Sequence, residues 1–206
     1  MSGHRLVGGL SVSDHTEARL RAHLGHLIRW NAAINLVAKS TIPDAWERHV
    51  ADSAQLVDLA PGNPGHWADL GSGAGFPGFV VAVIMAETSP ETRVTLVEAD
   101  RRKATFLRES ARLLDLDVTV RAERIEDAAP LCADVISARA LAPLDQLVTM
   151  ARPHLRAGGM CLFLKGARIE SELATASAAW SFSVERLPSR TDASAEILRL
   201  KGLADA

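Results

Sequence analysis

A glycine-rich run is the part of this sequence whose residue types and spacing most clearly indicate chemistry. Residues 69–78 read DLGSGAGFPG, directly after a short apolar segment and before a helical pattern. Glycine allows the tight turns and the close approach of a ligand to the backbone that such a junction requires. The start of the following helix adds unpaired N–H groups and the positive end of its dipole. The run therefore predicts a loop that binds a cofactor.

Two cofactors are consistent with the spacing of this loop. Residues 73–78 fit the dinucleotide fingerprint GxGxxG. Glu98 lies 20 residues further on, at the end of the next strand, where an acid that binds a ribose is expected. The overlapping residues 69–75 read DxGxGxG, which resembles the first motif of methyltransferases that use S-adenosylmethionine (SAM). Spacing alone leaves both cofactors open.

The residues around the loop favour SAM. Pro77 removes an N–H group near the helix start, where a pyrophosphate would need donors. SAM has no phosphate, and we expect Asp69 to meet its ammonium group, directly or through water. Glu98 suits either ligand, because a carboxylate accepts hydrogen bonds from both hydroxyls of a ribose. Beyond the third strand, we expect Ile125 to cover an adenine ring and Glu126 to accept from its amino group. An ordinary helix start explains those two residues equally well.

The elements ahead of the loop are predicted to be helical. Ser13 predicts an N-cap, and apolar residues follow it at helical spacing. A second helix is predicted from Thr41. The run 61–65 reads PGNPG and breaks the chain. We therefore predict a small helical region over residues 1–64, packed on a core domain over residues 65–206.

Strand and helix patterns alternate after residue 66. The candidate strands are 66–70, 93–98, 117–122, 134–138 and 160–165. The helical patterns between them are 77–86, 101–115, 125–129 and 143–152. A further helix near 168–179 precedes two strands, 181–187 and 196–201, joined by a short turn. Such alternation predicts an α/β fold, Rossmann-like, with a mostly parallel seven-stranded sheet and an antiparallel terminal hairpin.

Composition narrows the class of protein. With 48% hydrophobic and 23% charged residues, the chain resembles an average globular protein, which excludes wholesale disorder. No run of about 18 apolar residues occurs, so we expect no membrane span. Cys132 and Cys161 are too few and too far apart for a disulfide framework or a cysteine-based zinc site. We therefore expect a cytoplasmic protein that binds no metal.

The charge is balanced overall and uneven locally. The net charge of -2 argues against a general nucleic-acid binder, which is usually basic. Residues 101–124, however, carry seven positive and four negative side chains, a local net charge of +3. This segment predicts a basic patch, although a solvated helix face explains the same charges.

Several motifs, taken together and in order, resemble one family. They are WNxxxNL at 30–36, RHxxDS at 48–53, GxGxGFPG at 71–78, RALAPL at 139–144 and LKG at 164–166. This combination resembles the ribosomal small-subunit methyltransferase G family, also called glucose-inhibited division protein B, over about residues 20–201. Two positions depart from the family pattern. Ala138 stands between Ser137 and Arg139, where the family often reads Ser-Arg-Ala, and Ile34 stands where an aromatic residue is common.

The resemblance implies a class I SAM-dependent methyltransferase fold and methylation of N7 of one guanine in 16S rRNA, conventionally numbered 527. The cofactor would be SAM, leaving as S-adenosylhomocysteine, and the partner would be 16S rRNA or the small ribosomal subunit. By similarity, the SAM pocket would include Gly71, Phe76, Ile125, Glu126 and Arg139. The loop motif and the strand end add Asp69, Gly73, Gly75 and Glu98. The expected RNA contacts are Arg101, Arg102, Lys103, Arg124, Arg139 and Lys165.

No catalytic residue is assigned, because guanine N7 has an exposed lone pair and no hydrogen, so that in-line methyl transfer needs no general base. We expect a monomer. His15, His23 and His26 are expected on a solvated helix face rather than at a metal. The alternatives are a methyltransferase for a small molecule, a non-catalytic module that binds SAM or RNA, and an NAD-type oxidoreductase. The last lacks a recognisable Ser/Tyr/Lys catalytic set, and the chain has no tyrosine.

Overall fold

A seven-stranded sheet organises the computed structural model, which describes residues 3–205, and a two-stranded sheet precedes it. The strands are β1 (His4–Val7), β2 (Leu10–Ser13), β3 (His66–Leu70), β4 (Arg93–Val97), β5 (Thr119–Arg121), β6 (Ala133–Arg139), β7 (Leu155–Lys165), β8 (Trp180–Pro188) and β9 (Glu196–Asp205). The α-helices are α1 (Asp14–Asn31), α2 (Asp52–Ala54), α3 (Gly78–Thr88), α4 (Arg101–Leu113), α5 (Leu144–Ala151) and α6 (Ile169–Ala179).

The large sheet has the order β5-β4-β3-β6-β7-β9-β8. Strands β3 to β7 pair in parallel, and β9 is antiparallel to both β7 and β8. The predicted α/β fold, with a mostly parallel sheet and an antiparallel terminal hairpin, is confirmed. The chain winds outward from β3 in one direction and from β6 in the other. Ligands bind such sheets in the crevice at the carboxyl ends of the strands where the winding reverses, here β3 and β6.

The described part of the chain opens with a hairpin that the sequence patterns did not predict. Strands β1 and β2 pair antiparallel, with Val7 opposite Leu10. Gly8 and Gly9 form the turn with φ values of +58° and +83°, the left-handed conformations that a two-residue hairpin turn favours. The predicted helical region 1–64 therefore contains a hairpin over residues 4–13, ahead of the helix that starts after the predicted N-cap, Ser13. The Gly-Gly pair between two short strands was the available signal.

The predicted second helix is broken into short pieces. A 3-10 turn covers Lys39–Thr41, a π-helical turn covers Trp46–Ala51, and α2 and another 3-10 turn, Val57–Leu59, follow. The continuous helix predicted from Thr41 is thus wrong. π-Helical turns occur frequently at functional sites, because the extra residue redirects side chains. Here the turn carries Arg48 and His49 to the carboxyl edge of the sheet.

Helix α1 packs two of its three histidines inward, whereas His15 is exposed. Ser13 caps the helix by accepting a hydrogen bond from the Thr16 amide. His23 is fully buried and stacks on Phe79 with ring centroids 4.3 Å apart. His26 is also buried, with Nδ1 2.9 Å from the Ser110 hydroxyl. The expectation that these histidines lie on a solvated face is wrong for both.

The N-terminal region and the sheet share one apolar core. Val7, Leu27 and Val50 belong to the same buried cluster as residues of β3, α3 and α4. A second cluster fills the other side of the sheet, under α5 and α6. The division into regions 1–64 and 65–206 stays a prediction, and its ends at residues 1, 2 and 206 lie outside the described part of the chain. Within residues 3–205, no helix is long and apolar enough to cross a bilayer.

Candidate active site

The glycine loop leaves the carboxyl end of β3 through three left-handed residues. Gly71, Gly73 and Gly75 have φ values of +66°, +55° and +90°, which other residue types adopt only with strain. A Cβ atom built on Gly73 would meet nothing nearer than the Gly71 carbonyl oxygen at 3.8 Å. The loop backbone is therefore open to a ligand at Gly73.

Gly78, the fourth glycine of the loop, allows α3 to start in direct contact with the sheet. A Cβ atom on Gly78 would lie 2.3 Å from the Asp69 Cβ atom and 2.6 Å from Leu96 Cδ2. These distances are far inside van der Waals contact. Glycine at this position therefore fixes how closely the helix N-terminus approaches β3, and with it the height of the loop above the sheet.

We expect Gly78→Ala to destabilise the protein by about 3 kcal/mol, because overpacking a dense core costs roughly 1–3 kcal/mol and occasionally more. Urea unfolding measures the change. The matched control is Gly62→Ala, where a Cβ atom would meet nothing within 4 Å, and this variant should unfold like the parent. Equal stability of the two variants would contradict the close packing at Gly78.

Asp69 lies beneath the loop rather than in it. Its side chain is fully buried, and Oδ1 accepts a hydrogen bond of 2.6 Å from the Ser137 hydroxyl. Ser137 accepts in turn from Trp67 Nε1 at 2.9 Å. Burial raises the pKa of Asp69 to about 6, against the opposing effect of the Ser137 hydrogen bond. The side chain ties β3 to the neighbouring strand β6, and its contact with the ammonium of a cofactor stays a prediction.

Glu98 stands at the end of β4, where the sequence predicted it. Oε2 accepts from the Gly73 amide and Oε1 from the Asp100 amide, each at 2.7 Å. The two bonds hold the carboxylate against the glycine loop. Each oxygen keeps a second lone pair, so the group can also accept hydrogen bonds from the two hydroxyls of a ribose.

An aromatic ring of the loop joins the N-terminal region to β6. The Phe76 ring stacks on His49 at 5.0 Å, and the Arg139 guanidinium lies 5.1 Å from the centroid of the same ring. Arg139 also donates to the Arg48 carbonyl at 2.9 Å and lies 3.6 Å from Asp52 Oδ2. Arg48, His49 and Asp52 are therefore site residues that the sequence reasoning left without a role, although the motif RHxxDS was their signal.

The histidine of this cluster is neutral near pH 7. Burial lowers the pKa of His49 to about 4, and the positive charges of Arg139 and Arg48 add to the effect. Its Nε2 atom lies 3.0 Å from the Thr41 hydroxyl. A neutral ring stacked on Phe76 supports the loop without adding another cation beside Arg139. Within residues 3–205, no three His, Cys, Asp or Glu side chains are grouped to hold a metal ion.

An open cavity of about 660 Å³ lies at the carboxyl ends of β6 and β7. Arg139 and Asp52 line one side of it, and Lys165 and Glu172 line the other. Its lining also includes Ala140, Leu141, Ala142, Pro143, Leu164, Gly166, Ala167, Arg168, Ser189, Ala195 and Glu196. Leu141 separates the cavity from Gly71, because a Cβ atom on that glycine would be 2.6 Å from Leu141 Cδ1. The cavity therefore adjoins the glycine loop.

The residues after β5 form one short turn instead of the helix predicted over 125–129. A 3-10 turn covers Ile125–Asp127. Ile125 is buried, and its carbonyl oxygen lies 3.1 Å from His154 Nε2. Glu126 is exposed and pairs with Arg124 at 3.1 Å. Both remain predicted cofactor contacts, with Glu126 on the solvent side.

The predicted RNA contacts fall into two groups. Arg101, Arg102 and Lys103 open α4 directly after the carboxyl end of β4, and Arg124 follows β5 on the same edge of the sheet. Arg101, Arg102 and Arg124 are exposed. This first group therefore flanks Glu98 with side chains that reach solvent.

The second group is held inside the cavity. Lys165 has a side chain only 10% exposed, 2.5 Å from Glu172 Oε2, and donates to the Ala142 carbonyl at 3.0 Å. This ion pair places Lys165 in the cavity wall, and its contact to RNA stays a prediction. Arg139, 19% exposed and near Asp52, lines the cavity rather than the outer surface.

Comparison with known proteins decides the family. The model of the family described as rRNA small subunit methyltransferase G matches residues 16–198. The chain belongs to this family. A Cereibacter sphaeroides protein named ribosomal RNA small subunit methyltransferase G is 52% identical over 200 residues, which cover 97% of this chain and 96% of that protein. A protein of the same name from Paramagnetospirillum magneticum is 49% identical over 201 residues, which cover 98% and 96% of the two chains.

Solved structures agree with the class I methyltransferase fold. A SAM-dependent methyltransferase from Aquifex aeolicus superposes with a TM-score of 0.58 and 13% identity, covering 78% of this chain and 93% of that one. TYW2 of M. jannaschii, in complex with AdoMet, gives a TM-score of 0.56 and 13% identity, with coverages of 82% and 77%. Membership of the methyltransferase G family overturns the NAD-type alternative for the glycine loop.

Proposed function

We propose that this chain transfers a methyl group from SAM to N7 of a guanine in 16S rRNA, by resemblance guanine 527. The observation that carries the proposal is the adjacency of two sites at one edge of the sheet. The glycine loop with Glu98 forms one, and the cavity beyond Arg139 forms the other. Group transfer between two ligands requires two such sites in contact. Membership of the family indicates that the second ligand is rRNA.

The chain's residues fit SAM. Glu98 is held by two amides in a position to accept from a ribose diol, and Gly73 leaves the loop open to close approach. Phe76 and Ile125 provide apolar walls, and Arg139 provides a cation that a carboxylate would pair with. SAM, when bound, supplies an activated methyl group on a sulfonium.

The residues of the site align the reactants and do not exchange protons with them. Guanine N7 carries a lone pair and no hydrogen, so no group has to remove a proton before attack. His49 and His23, whose rings both contact Phe76, are buried and neutral, and His49 Nε2 already lies within hydrogen-bond distance of the Thr41 hydroxyl. Correct alignment alone can account for several kcal/mol of a bimolecular barrier, up to roughly 7–11 in ideal cases.

The cations of this sheet edge, three of them exposed and Lys103 partly buried, would bind the RNA backbone. Arg101, Arg102, Lys103 and Arg124 flank the cofactor site, and a chain that is nearly neutral overall needs such a local patch. Phosphate contacts made by Arg and Lys weaken as salt rises, because binding releases counterions. N7 lies in the deep, narrow major groove of paired RNA, so the target guanine would be unpaired or turned out of its helix.

Methyl-labelled SAM tests the proposal. We would incubate the protein with small ribosomal subunits and with protein-free 16S rRNA, both from cells that lack this enzyme, and map the label by nuclease digestion. Label on one guanine, recovered as 7-methylguanine, is the expected result. No label on either RNA, with SAM binding intact, would overturn the rRNA assignment and leave a small-molecule acceptor.

A further inference from the structure

One carboxylate of the cavity is held in a fixed orientation with one oxygen left for a ligand. Asp52 Oδ1 accepts from Gln55 Nε2 at 2.9 Å, from the Ser189 hydroxyl at 3.2 Å and from the Thr191 hydroxyl at 2.9 Å. Gln55 directly follows α2, and Ser189 and Thr191 lie in the turn between β8 and β9. They occupy Oδ1 and prevent the carboxylate from rotating.

Among residues 3–205, the other oxygen, Oδ2, has only a charge partner. The nearest Arg139 nitrogen is 3.6 Å away, beyond ordinary hydrogen-bond distance. Asp52 lines the cavity, with 13% of its side chain exposed. Oδ2 is therefore a preorganised acceptor aimed at whatever occupies the cavity.

The other carboxylates of the cavity wall also have partners, which lie away from the glycine loop. Glu172 Oε2 accepts from the Leu144 amide at 3.0 Å and pairs with Lys165 at 2.5 Å. Both oxygens of Glu196 accept from Arg186, at 2.7 and 2.8 Å. Of the three, Asp52 is the one that lies beside Arg139, whose guanidinium is 5.1 Å from the centroid of the Phe76 ring in the glycine loop.

The chemistry of guanine matches this acceptor. When N7 faces the methyl donor over the glycine loop, the opposite edge of the base presents two donors, N1–H and the N2 amino group. A carboxylate accepts from such donors with a charge-assisted bond. Adenine offers an acceptor at N1 and nothing at C2, so it would meet Asp52 with repulsion. A cavity of about 660 Å³ is large enough for a nucleobase and its ribose.

We infer that Asp52 is a specificity-determining residue that reads the N1–H and N2 amino groups of the target guanine through Oδ2. The inference rests on the proposed function. Gln55, Ser189 and Thr191 are positioning residues that orient it. The N-terminal region and the terminal hairpin thereby both contribute to choosing the base.

The test replaces the target guanosine by inosine, which keeps N7 and N1–H and lacks the N2 amino group. Ligated RNA carrying either base at the mapped position, assembled into subunits where the assay requires it, is the substrate for the parent chain and for Asp52→Asn. The parent should methylate guanine on the order of ten- to hundred-fold faster than inosine, the range for a hydrogen bond to a charged group. Asp52→Asn should lose guanine methylation by a similar factor and treat the two bases nearly alike.

Two matched variants distinguish a loss of base recognition from a loss of folding. Asp58→Asn removes a carboxylate that pairs with Arg190 at 2.9 Å outside the cavity lining, and it should behave as the parent. Glu172→Gln changes another carboxylate of the cavity wall. This variant should keep the parental ratio of the methylation rates for guanine and inosine. A parental ratio in Asp52→Asn, or loss of the ratio in Glu172→Gln instead, would overturn the inference while leaving the proposed function in place. A parent chain that labels no guanine would overturn both.

Discussion

Replacing Glu98 by glutamine is expected to lower the affinity of this chain for SAM by roughly 100-fold. The carboxylate accepts two backbone amides at 2.7 Å and, in the proposed complex, two ribose hydroxyls. Glutamine replaces one of the two acceptor oxygens by an amino group, which would face the amide of Gly73 or Asp100. A hydrogen bond to a charged group contributes about 1.5–3 kcal/mol, so the loss of one or two such bonds gives a change of this size.

Isothermal titration with SAM measures this effect, and Glu126→Gln is the comparison. Glu126 is also a predicted cofactor contact, but its side chain is 53% exposed and paired with Arg124. An exposed bond of this kind is screened by water and salt, so the loss there should stay below about threefold. Equal effects of the two substitutions, or parental affinity in Glu98→Gln, would show that the strand-end carboxylate does not hold the cofactor.

The protein is expected to lose several kcal/mol of stability between pH 7 and pH 4. Burial lowers the pKa of His23 to about 3 and that of His49 to about 4. Burial also lowers the pKa values of His26, His66 and His154. In the unfolded chain each ring becomes protonated below about pH 6.5, whereas in the folded chain it takes up its proton only at a lower pH, near 3 for His23 and near 4 for His49. Their stabilising contribution is therefore complete above pH 6.5 and is lost as the pH falls.

One buried group opposes this trend. The raised pKa of Asp69, about 6, means that the folded chain binds a proton that the unfolded chain does not until the pH approaches 3.8. Its contribution is present at low pH and is lost as the pH rises through about 6. Because five histidines outweigh one aspartate, the net effect of acidification is destabilising. Each additional proton taken up on unfolding changes the free energy of unfolding by about 1.4 kcal/mol per pH unit.

Urea unfolding across pH 7.5 to 4.5 measures the slope, and His23→Gln tests its source. Glutamine does not titrate, and its amide can still donate to the Ala74 carbonyl, which lies 3.2 Å from His23 Nε2. The variant should take up about one proton fewer on unfolding in this range. His15→Gln changes an exposed histidine of the same helix and should keep the parental slope. If the stability of His23→Gln depended on pH as steeply as that of the parent, His23 would not be a source of the pH dependence.

The sequence by itself determined the features that depend on local patterns. Alternating strand and helix periodicity predicted the parallel sheet, because hydrophobic spacing follows from which face of each element is buried. The strands at 66–70 and 93–98 were placed within one residue of β3 and β4. Glu98 and the glycine loop were also found from sequence, because a strand end and the following turn carry their signal within a few residues.

The tertiary structure alone decided what depends on residues distant in sequence. Asp69 belongs to the loop motif, but its partner Ser137 is 68 positions away, and this pairing turns the carboxylate into the sheet. Lys165 looks like a free cation until α6 brings Glu172 against it. Neither pairing has a local signature, since each arises from the order in which the strands are packed.

Asp52 shows most clearly how a side chain depends on residues distant in sequence. The motif RHxxDS marked its segment, yet its orientation depends on donors from the turn between β8 and β9, more than 130 positions later. A sequence reports the chemistry that each side chain carries. Which donors meet a given acceptor is fixed only when the sheet brings distant strand ends to one edge, and the cavity at that edge exists only in the folded chain.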